Sequence, residues 1–495
     1  MTNLHNGVMP RMSHSSGLSL FMAVCAVLAM IGGAAAAPPV PTAKPAGVPK
    51  LAPDSTHQPA FESTLPPDSE VQRIVDDRTA TYRDTVGLVV GVIDPSGRRL
   101  NVRGPSLIGN DDPVDGDTVF EIGSITKVFT ALLLSDMARR GEVSLGDPVE
   151  KYLPAGTKLP QRGRAMTLLD LATHMSGLPE TVSNVEVTDF NHPNADMTVD
   201  QFLQSVQSYD LPRDVGAGYE YSNAGYQLLG LALADAGHMD LETLLRSRIL
   251  GPLHMDSTRI AISATERDRL AGLYDEHLNP VPRPNPSVLS GSDGMRSTAN
   301  DLLDFLAANL GLKPSPLAPA MADMIKVRRP TQFVELKAAI GWHIATLHGI
   351  EIIWHNGQTA GSRSFIGFAP KSRTGVVVLS NSANTIDDIG VHLLDPQSPL
   401  RTLRREVPVN PSQFENYIGR YAVSETFALE VTRDGNRLFI QAAGQPRAEL
   451  FAESAEKFFL RVVDGDVVFQ TDSSGRANSI SLTQDGKTVS ALRVR

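Results

Sequence analysis

The chain has 495 residues, of which 41% are hydrophobic and 20% are charged, which is an ordinary globular composition with enough length for two or three domains. Its formal net charge of −10 argues against nucleic-acid binding, because a surface that follows phosphates needs an excess of basic residues. The single cysteine, Cys25, lies in the N-terminal segment. Once that segment is removed, the chain offers no disulfide, no thiolate metal ligand and no cysteine nucleophile.

Residues 1–37 are predicted to be a secretory signal peptide. Arg11 precedes an apolar run from Leu18 to Ile31, and a stretch of glycine and alanine ends the segment. The run is shorter than the roughly 20 residues that cross a bilayer, so we expect no stable membrane span after processing, with an uncleaved anchor as the alternative. Export of a chain without disulfides favours a secreted or periplasmic bacterial protein. Residues 38–69, rich in proline and alanine, predict an extended tether.

The first elements of the larger predicted domain, residues 70–395, are a helix and a hairpin. A helical pattern covers residues 70–82, and a nearly continuous apolar run over 86–94 predicts a strand that pairs with a second one near 100–103. The following stretch, about 124–311, is mostly helical in pattern, with one helix over 225–236 and another over 298–310.

Beyond this stretch the period of two returns and predicts four more strands, over residues 340–347, 350–354, 364–369 and 375–380. Strands on both sides of a helical stretch indicate an α+β fold, in which one antiparallel sheet is completed from both sides of a mostly helical insertion. Residues 396–411 are rich in proline and predict a linker. Short strands separated by Asp-Gly and Ser-Gly turns then predict a small all-β barrel or sandwich over residues 412–495.

Three short signatures follow one another in an order that predicts an active site. They are Ser124-Ile125-Thr126-Lys127, Tyr221-Ser222-Asn223 and His355-Asn356-Gly357. Chance produces such patterns at this length, since a second S-x-x-K begins at Ser454 and a second H-N-G occupies residues 5–7. The order, the spacing and the apolar residues that follow Lys127 favour the first set, whereas Ser454 lies among predicted β-hairpins.

The spacing of Ser124 and Lys127 suits nucleophilic catalysis. A serine hydroxyl is a weak nucleophile until a base takes its proton, and residues three apart at a helix start share one face. The helix N-terminus favours a developing oxyanion and disfavours a protonated lysine, and burial acts in the same direction. We expect Tyr221, beside the lysine, to be stabilised as a phenolate that relays a proton. We expect Asn223 to donate to a substrate carbonyl while its own oxygen holds Lys127.

The chain resembles the class C β-lactamase and DD-peptidase family of penicillin-recognising serine hydrolases, which also includes D-aminopeptidases and family VIII esterases. Five segments in order carry the resemblance, over roughly residues 70–381: residues 120–127, 168–179, 219–226, 294–302 and 355–361. The predicted C-terminal β domain resembles the lipocalin-like appendage of some members.

This resemblance implies that Ser124 is acylated and that Lys127 and Tyr221 transfer protons. It also implies that Asn223 and the segment His355 to Gln358 contact the substrate. The backbone N–H groups of Ser124 and of Gln358, the residue after Gly357, would form the oxyanion hole. His355 departs from the pattern, because β-lactamases of this class carry a lysine there that attracts the substrate carboxylate. Histidine is mostly neutral at neutral pH, which weakens the case for an efficient β-lactamase.

Two further patterns are interpreted as unrelated to catalysis. Residues 292–294, Ser-Asp-Gly, are read as structural, and we expect alternating strand faces to separate His343, His348 and His355, so no metal or cofactor is predicted. The predicted function is an exported serine hydrolase of amide or ester bonds, of DD-carboxypeptidase or endopeptidase type, acting on D-amino-acid peptides of the cell wall. The alternatives are a class C β-lactamase, a short-chain carboxylesterase, and a penicillin- or muropeptide-binding sensor that is acylated without turnover.

Overall fold

The computed structural model describes residues 63–109, 112–181, 197–283, 287–424, 427–442, 447–484 and 487–494. The predicted signal peptide and most of the predicted tether lie outside these residues. No helix within the described residues is long and apolar enough to cross a bilayer.

The catalytic domain combines eleven helices of the described chain with ten strands. The helices are α1 Asp68–Asp76, α2 Thr126–Arg139, α3 Leu168–Ala172, α4 Val199–Gln207, α5 Asn223–Ala236, α6 Leu241–Leu245, α7 Gly251–Leu253, α8 Ala264–Arg267, α9 Ala299–Asn309, α10 Ala318–Met324 and α11 Asp387–Leu394. The strands are β1 Leu88–Asp94, β2 Gly97–Arg103, β3 Phe120–Glu121, β4 Arg296–Ser297, β5 Arg329–Pro330, β6 Leu336–Ala338, β7 His343–Leu347, β8 Ile350–Gln358, β9 Arg363–Ala369 and β10 Thr374–Ser380.

Eight of these strands form one antiparallel sheet in the order β2-β1-β10-β9-β8-β7-β6-β5. The N-terminal hairpin therefore lies beside the last strand of the domain, with Leu88 opposite Ser380. Between the two sets of strands the chain forms most of the helices. The predicted α+β architecture, a sheet completed from both sides of a helical insertion, is confirmed.

The sheet is covered on both faces, which explains the continuous apolar run of its first strand. Every residue of β1 is buried. Val89 belongs to the larger core with helices α2 and α9, whereas Val90 belongs to a smaller core with α1 and α11. Because burial of one such aliphatic side chain contributes about 1.5–3 kcal/mol, a strand buried on both faces stabilises the two layers together.

The chain after residue 411 forms a closed antiparallel barrel of eight strands within the described residues. They are β11 Gly419–Ala422, β12 Ala428–Asp434, β13 Arg437–Ala442, β14 Ala448–Ala452, β15 Lys457–Leu460, β16 Gly465–Thr471, β17 Ala477–Gln484 and β18 Lys487–Val494. Strand β18 pairs back with β11 and leaves no free edge. Aromatic side chains fill the interior, where Tyr417 and Phe469 stack with ring centroids 4.4 Å apart. The predicted small all-β domain is confirmed.

Strand β8 is longer than its sequence pattern indicated. The prediction ended it at Trp354, but the pairing with β9 continues from Ile353 to Gln358. The H-N-G signature therefore lies inside a central strand. The glycine and the polar residues broke the apolar pattern, yet their main chains still pair, because a neighbouring strand satisfies backbone groups whatever the side chains are.

A buried cluster of charges connects the start of the domain to the residues before the barrel. Arg401, in the predicted linker, pairs with Asp84, and Arg78 pairs with both Asp84 and Asp388. Burial alone would raise the pKa of Asp84, but the two arginines outweigh it and hold that pKa below its usual value. Part of the predicted linker is thus packed against the catalytic domain.

We expect Arg401→Gln to lower the free energy of unfolding by about 3–5 kcal/mol, because removing one partner leaves buried carboxylates without their counter-charge. Urea denaturation measures this change. Arg73→Gln is the matched control, since Arg73 pairs with Asp77 while its own side chain is 61% exposed. A loss for Arg401→Gln no larger than that of the control would contradict the assignment.

Candidate active site

Ser124, the predicted nucleophile, lies in the turn that starts the most buried helix of the described domain. Ser124 is in the 3-10 turn Gly123–Ile125, which continues into α2. Lys127 Nζ lies 2.8 Å from Ser124 Oγ, at hydrogen-bond distance. Every residue of the helix from Thr126 to Met137 is buried, whereas Ser124 itself is partly exposed. The serine is thus accessible to a substrate and the lysine is not accessible to bulk water.

Burial changes the protonation of Lys127. It lowers the pKa of this lysine to about 7, against the opposing charges of Asp293 and Glu180. A large fraction of the amine is therefore neutral at neutral pH and able to accept a proton from Ser124.

The Ser-Asp-Gly segment, interpreted from sequence as structural, belongs to the site. The carbonyl oxygen of Ser292 accepts a hydrogen bond from Lys127 Nζ over 2.8 Å, and the Asp293 carboxylate raises the pKa of Lys127. The segment is attached to helix α2, since Thr130 Oγ1 donates to the carbonyl of Gly291. The interpretation of the segment as structural stays a prediction, but the sequence did not reveal its contact with Lys127, because that contact runs through a main-chain carbonyl.

Tyr221 lies beside the lysine, but it is not a phenolate. Lys127 Nζ is 4.9 Å from the centroid of the Tyr221 ring. Burial raises the pKa of Tyr221 well above its usual value, although the nearby Ser124 hydroxyl acts in the opposite direction. The hydroxyl is shielded from solvent and, among the residues that the structure describes, meets no partner with hydrogen-bond geometry. The expected phenolate is therefore corrected to a neutral phenol whose hydroxyl is available to a bound substrate.

Asn223 is oriented differently from the expectation. It begins α5, whose N-cap Ser222 accepts a hydrogen bond from Gly225 N through its hydroxyl. The Asn223 side-chain oxygen is buried without a hydrogen-bond partner in the described part of the chain. Lys127 is held by Ser124 and Ser292 instead, so the side chain of Asn223 is left for a substrate.

His174 positions the second signature, a role that was not assigned from the sequence. Its Nδ1 accepts a hydrogen bond from Ser222 N over 3.0 Å, and its carbonyl accepts one from Glu220 N over 2.9 Å, so it holds the main chain on both sides of Tyr221. Burial lowers its pKa well below the usual value, which keeps Nδ1 free to accept. The residue has a left-handed φ of 58°. Its place in the 168–179 segment of the resemblance was the only signal.

The third signature brings the end of β8 against the nucleophile turn. A Cβ at Gly123 would come within 2.6 Å of both the main-chain N and O of Gln358, and one at Gly357 within 2.0 Å of the Ile122 carbonyl oxygen. Only residues without side chains permit this approach. The peptide of Gln358 therefore lies beside that of Ser124, as an oxyanion hole of these two N–H groups requires.

Two of the three histidines of the C-terminal strands meet at the site, contrary to the expectation that strand faces separate them. His343 is the first residue of β7 and lies opposite Trp354, next to His355, and the two imidazole rings stack with centroids 5.1 Å apart. His343 Nε2 is 3.0 Å from the Tyr219 hydroxyl. His348 is elsewhere, paired with Asp395. In the residues that the structure describes, no group of three or more His, Cys, Asp or Glu side chains is arranged to hold a metal ion.

Both histidines are neutral at neutral pH. Burial lowers the pKa of His343 to about 4, and burial together with His343 and Lys127 lowers that of His355 well below its usual value. Neutral imidazoles supply hydrogen bonds and an apolar face, but no fixed positive charge for a substrate carboxylate.

A family model described as beta-lactamase matches residues 71–392, which include every residue of this site. The chain belongs to the β-lactamase family. It is therefore a serine hydrolase. A second model, a domain of unknown function named DUF3471, matches residues 403–491 and so covers the barrel.

The chain is similar to two bacterial proteins and to one solved structure. A penicillin-binding protein of Bacillus subtilis is 25% identical over 77% of this chain and 89% of its own length. The Escherichia coli D-alanyl-D-alanine-carboxypeptidase/endopeptidase AmpH is 29% identical over 59% of this chain and 78% of its own. The octameric penicillin-binding protein homologue of Pyrococcus abyssi shares the fold with a TM-score of 0.59 and 23% identity, over 85% of this chain and 99% of the other.

We expect the rate of acylation to rise with pH around 7, because Lys127 must lose its proton before it can accept that of Ser124. Asp293→Asn removes a charge that raises the pKa of Lys127, so the midpoint of the profile should move to lower pH. Pre-steady-state rates with a chromogenic ester measure both profiles. Asp434→Asn, on the barrel, is the control and should leave the midpoint in place; a midpoint that moves upward in Asp293→Asn would contradict the assignment.

Proposed function

We propose that the protein is an exported hydrolase that cleaves amide or ester bonds through an acyl-Ser124 intermediate, and that its substrates are D-amino-acid peptides of the cell wall. The observation that carries the proposal is the 2.8 Å contact between Ser124 Oγ and the amine of the fully buried Lys127. A neutral amine next to a partly exposed hydroxyl is the arrangement that activates a serine nucleophile.

The residues of the site account for each step without a metal or a cofactor. Ser124 Oγ attacks the substrate carbonyl carbon while Lys127 accepts its proton, and the oxyanion forms between the N–H groups of Ser124 and Gln358. Loss of one such donor typically costs about 2.7–4 kcal/mol of transition-state stabilisation. The Tyr221 phenol gives its proton to the leaving group and receives in its place the proton that Lys127 took from Ser124. Water then hydrolyses the acyl ester. Asn223 orients the substrate through its free side-chain oxygen.

The neutral histidines bear on the substrate. His355 stands where a lysine would attract a carboxylate, and its stacking partner His343 adds no charge. The site therefore suits a scissile bond that has no free carboxylate next to it. This favours an endopeptidase over a carboxypeptidase or a class C β-lactamase. The name of the relative AmpH, a carboxypeptidase and endopeptidase, supports the peptide substrate. The same neutrality supports a second candidate function, a short-chain carboxylesterase.

Export and a secreted or periplasmic location rest on the pattern of residues 1–37, which lie outside the described residues.

We expect Ser124→Ala to abolish covalent labelling by penicillins and by chromogenic esters, as followed by intact-mass spectrometry. Ser454→Ala is the matched control in the same S-x-x-K pattern. The Lys457 amine pairs with Glu453 on the barrel, and only the main-chain N–H of Lys457 donates to the Ser454 hydroxyl, so labelling should be unchanged. An adduct that persists in Ser124→Ala would move the nucleophile elsewhere. An adduct that forms but is never released would indicate the acylated sensor instead of a hydrolase.

We expect His355→Lys to lower the Kd of carboxylate-bearing β-lactams about tenfold, the gain of roughly one charge-assisted hydrogen bond, since lysine keeps its charge to higher pH than histidine. Competition against a chromogenic ester measures the affinity. His348→Lys, about half exposed and paired with Asp395, is the control and should change nothing. Equal affinities in both variants would mean that other groups hold the carboxylate.

A further inference from the structure

Residues 273–281 of the catalytic domain, which we call the rim loop, are in contact with the barrel. His277 Nε2 is 2.9 Å from Glu449 Oε2 on β14, and the His277 ring lies 5.0 Å from that of Phe451 on the same strand. The imidazole is thus held by one charged and one aromatic partner, both from the barrel.

A second barrel residue holds the main chain of the rim loop. Arg461, which follows β15, donates from Nη1 to the carbonyl of Glu276 over 2.6 Å, and its guanidinium lies 4.0 Å from the Phe451 ring centroid. The carbonyl of Arg461 accepts from Thr385 N of the catalytic domain. The barrel therefore grips both the main chain and a side chain of the loop.

The rim loop is internally fixed, so that a contact at its tip is transmitted to its base. The Asp275 carboxylate accepts hydrogen bonds from the backbone N–H groups of His277 and Asn279, and Asp275 N donates to the Asn279 carbonyl. An Asx turn of this kind leaves the loop few conformations.

The base of the rim loop packs against the β8–β9 turn, residues 359–362, which directly follows Gln358. Tyr274 N donates to the Gly361 carbonyl over 3.2 Å. A Cβ at Gly361 would come within 2.6 Å of Leu273 Cβ and of Tyr274 N, so the two main chains are in close contact. The turn is closed by a hydrogen bond from Thr359 N to the Ser362 carbonyl.

We propose that the C-terminal barrel is a positioning domain for the active site: through Glu449 and Arg461 it fixes the rim loop, and through the rim loop the β8–β9 turn and the oxyanion N–H of Gln358. The catalytic part of this inference rests on the proposed function. His277, Glu449 and Arg461 are positioning residues, because none of them touches Ser124 or a reacting atom.

Because side chains fill the interior of the barrel, the barrel can act on the rim loop only through its outer surface. Eight strands enclose a space that side chains just fill, and here Tyr421, Phe458 and Phe469 occupy it. Glu449, by contrast, projects from β14 to the rim loop.

The contact depends on charge and hence on pH. The hydrogen bond to Glu449 raises the pKa of His277, against the effect of burial, with smaller contributions from Asp275 on the loop and Glu406 in the linker. The other charged neighbours of this contact are Arg437, 3.5 Å from Glu449, and Arg461. Because the folded-state pKa is raised, the ion pair is complete below the ordinary pKa of histidine and is lost as pH rises through the raised value.

The test compares Glu449→Gln with Glu415→Gln in the full-length protein. Glu415 forms an ion pair with Arg433 within the barrel and is the matched control. Hydrogen exchange is measured for the peptide that covers residues 357–362, at a pH below that at which the His277 ion pair is lost. We expect exchange there to quicken several-fold in Glu449→Gln and to stay unchanged in Glu415→Gln, because only the first charge holds the rim loop.

The second readout is kcat with a chromogenic ester. We expect it to fall about tenfold in Glu449→Gln with little change in KM, since a misplaced oxyanion donor weakens the transition state and not the bound substrate. His277→Gln combined with Glu449→Gln should be no slower than Glu449→Gln alone.

The two readouts separate this inference from the proposed function. Unchanged exchange over residues 357–362 in Glu449→Gln overturns the inference, whatever the activity. Quickened exchange with an unaltered kcat also overturns the inference, because the barrel would then fix the β8–β9 turn without any effect on catalysis. A wild-type protein that is never acylated refutes the proposed function, and the exchange measurement still decides whether the barrel holds the turn.

Discussion

An amine removed from water gives up its proton far more readily than a solvated one, and burial lowers the pKa of Lys127 to about 7. The elements packed around Lys127 keep its amine away from water. Helix α2, which carries the lysine, packs against α5 and α10, and the 3-10 turn before it packs against β8 and β9. Its N-terminal turn reaches the surface at Ser124, and there the serine hydroxyl meets the amine that burial keeps partly neutral.

The same desolvation sets the character of the whole site. Tyr221, His174, His343 and His355 are all held in their neutral forms, so the site recognises a substrate by shape and directed hydrogen bonds. In such surroundings each donor is worth more than it would be in water. The third signature, where the resemblance leads us to expect a lysine, carries the neutral His355 in this chain.

The two domains are joined by more than a linker. Buried charges around Asp84 attach the residues before the barrel to the N-terminal helix, and the rim loop joins the barrel to the turn behind Gln358. In our proposal, the contact through the rim loop is the route by which the barrel acts on the reaction.

The sequence by itself determined the family, the α+β sheet completed from both sides, the small β domain and the three signatures. Each of these features follows from local residue spacing or from short periodic patterns. It could not determine which main-chain and diagonal contacts complete the site. The carbonyl of Ser292 on Lys127, the stacking of His343 on His355 and the grip of His174 on the main chain around Tyr221 join residues distant in sequence. Protonation states were likewise decided by the tertiary structure, since the burial that keeps Tyr221 a phenol exists only when the layers are packed together.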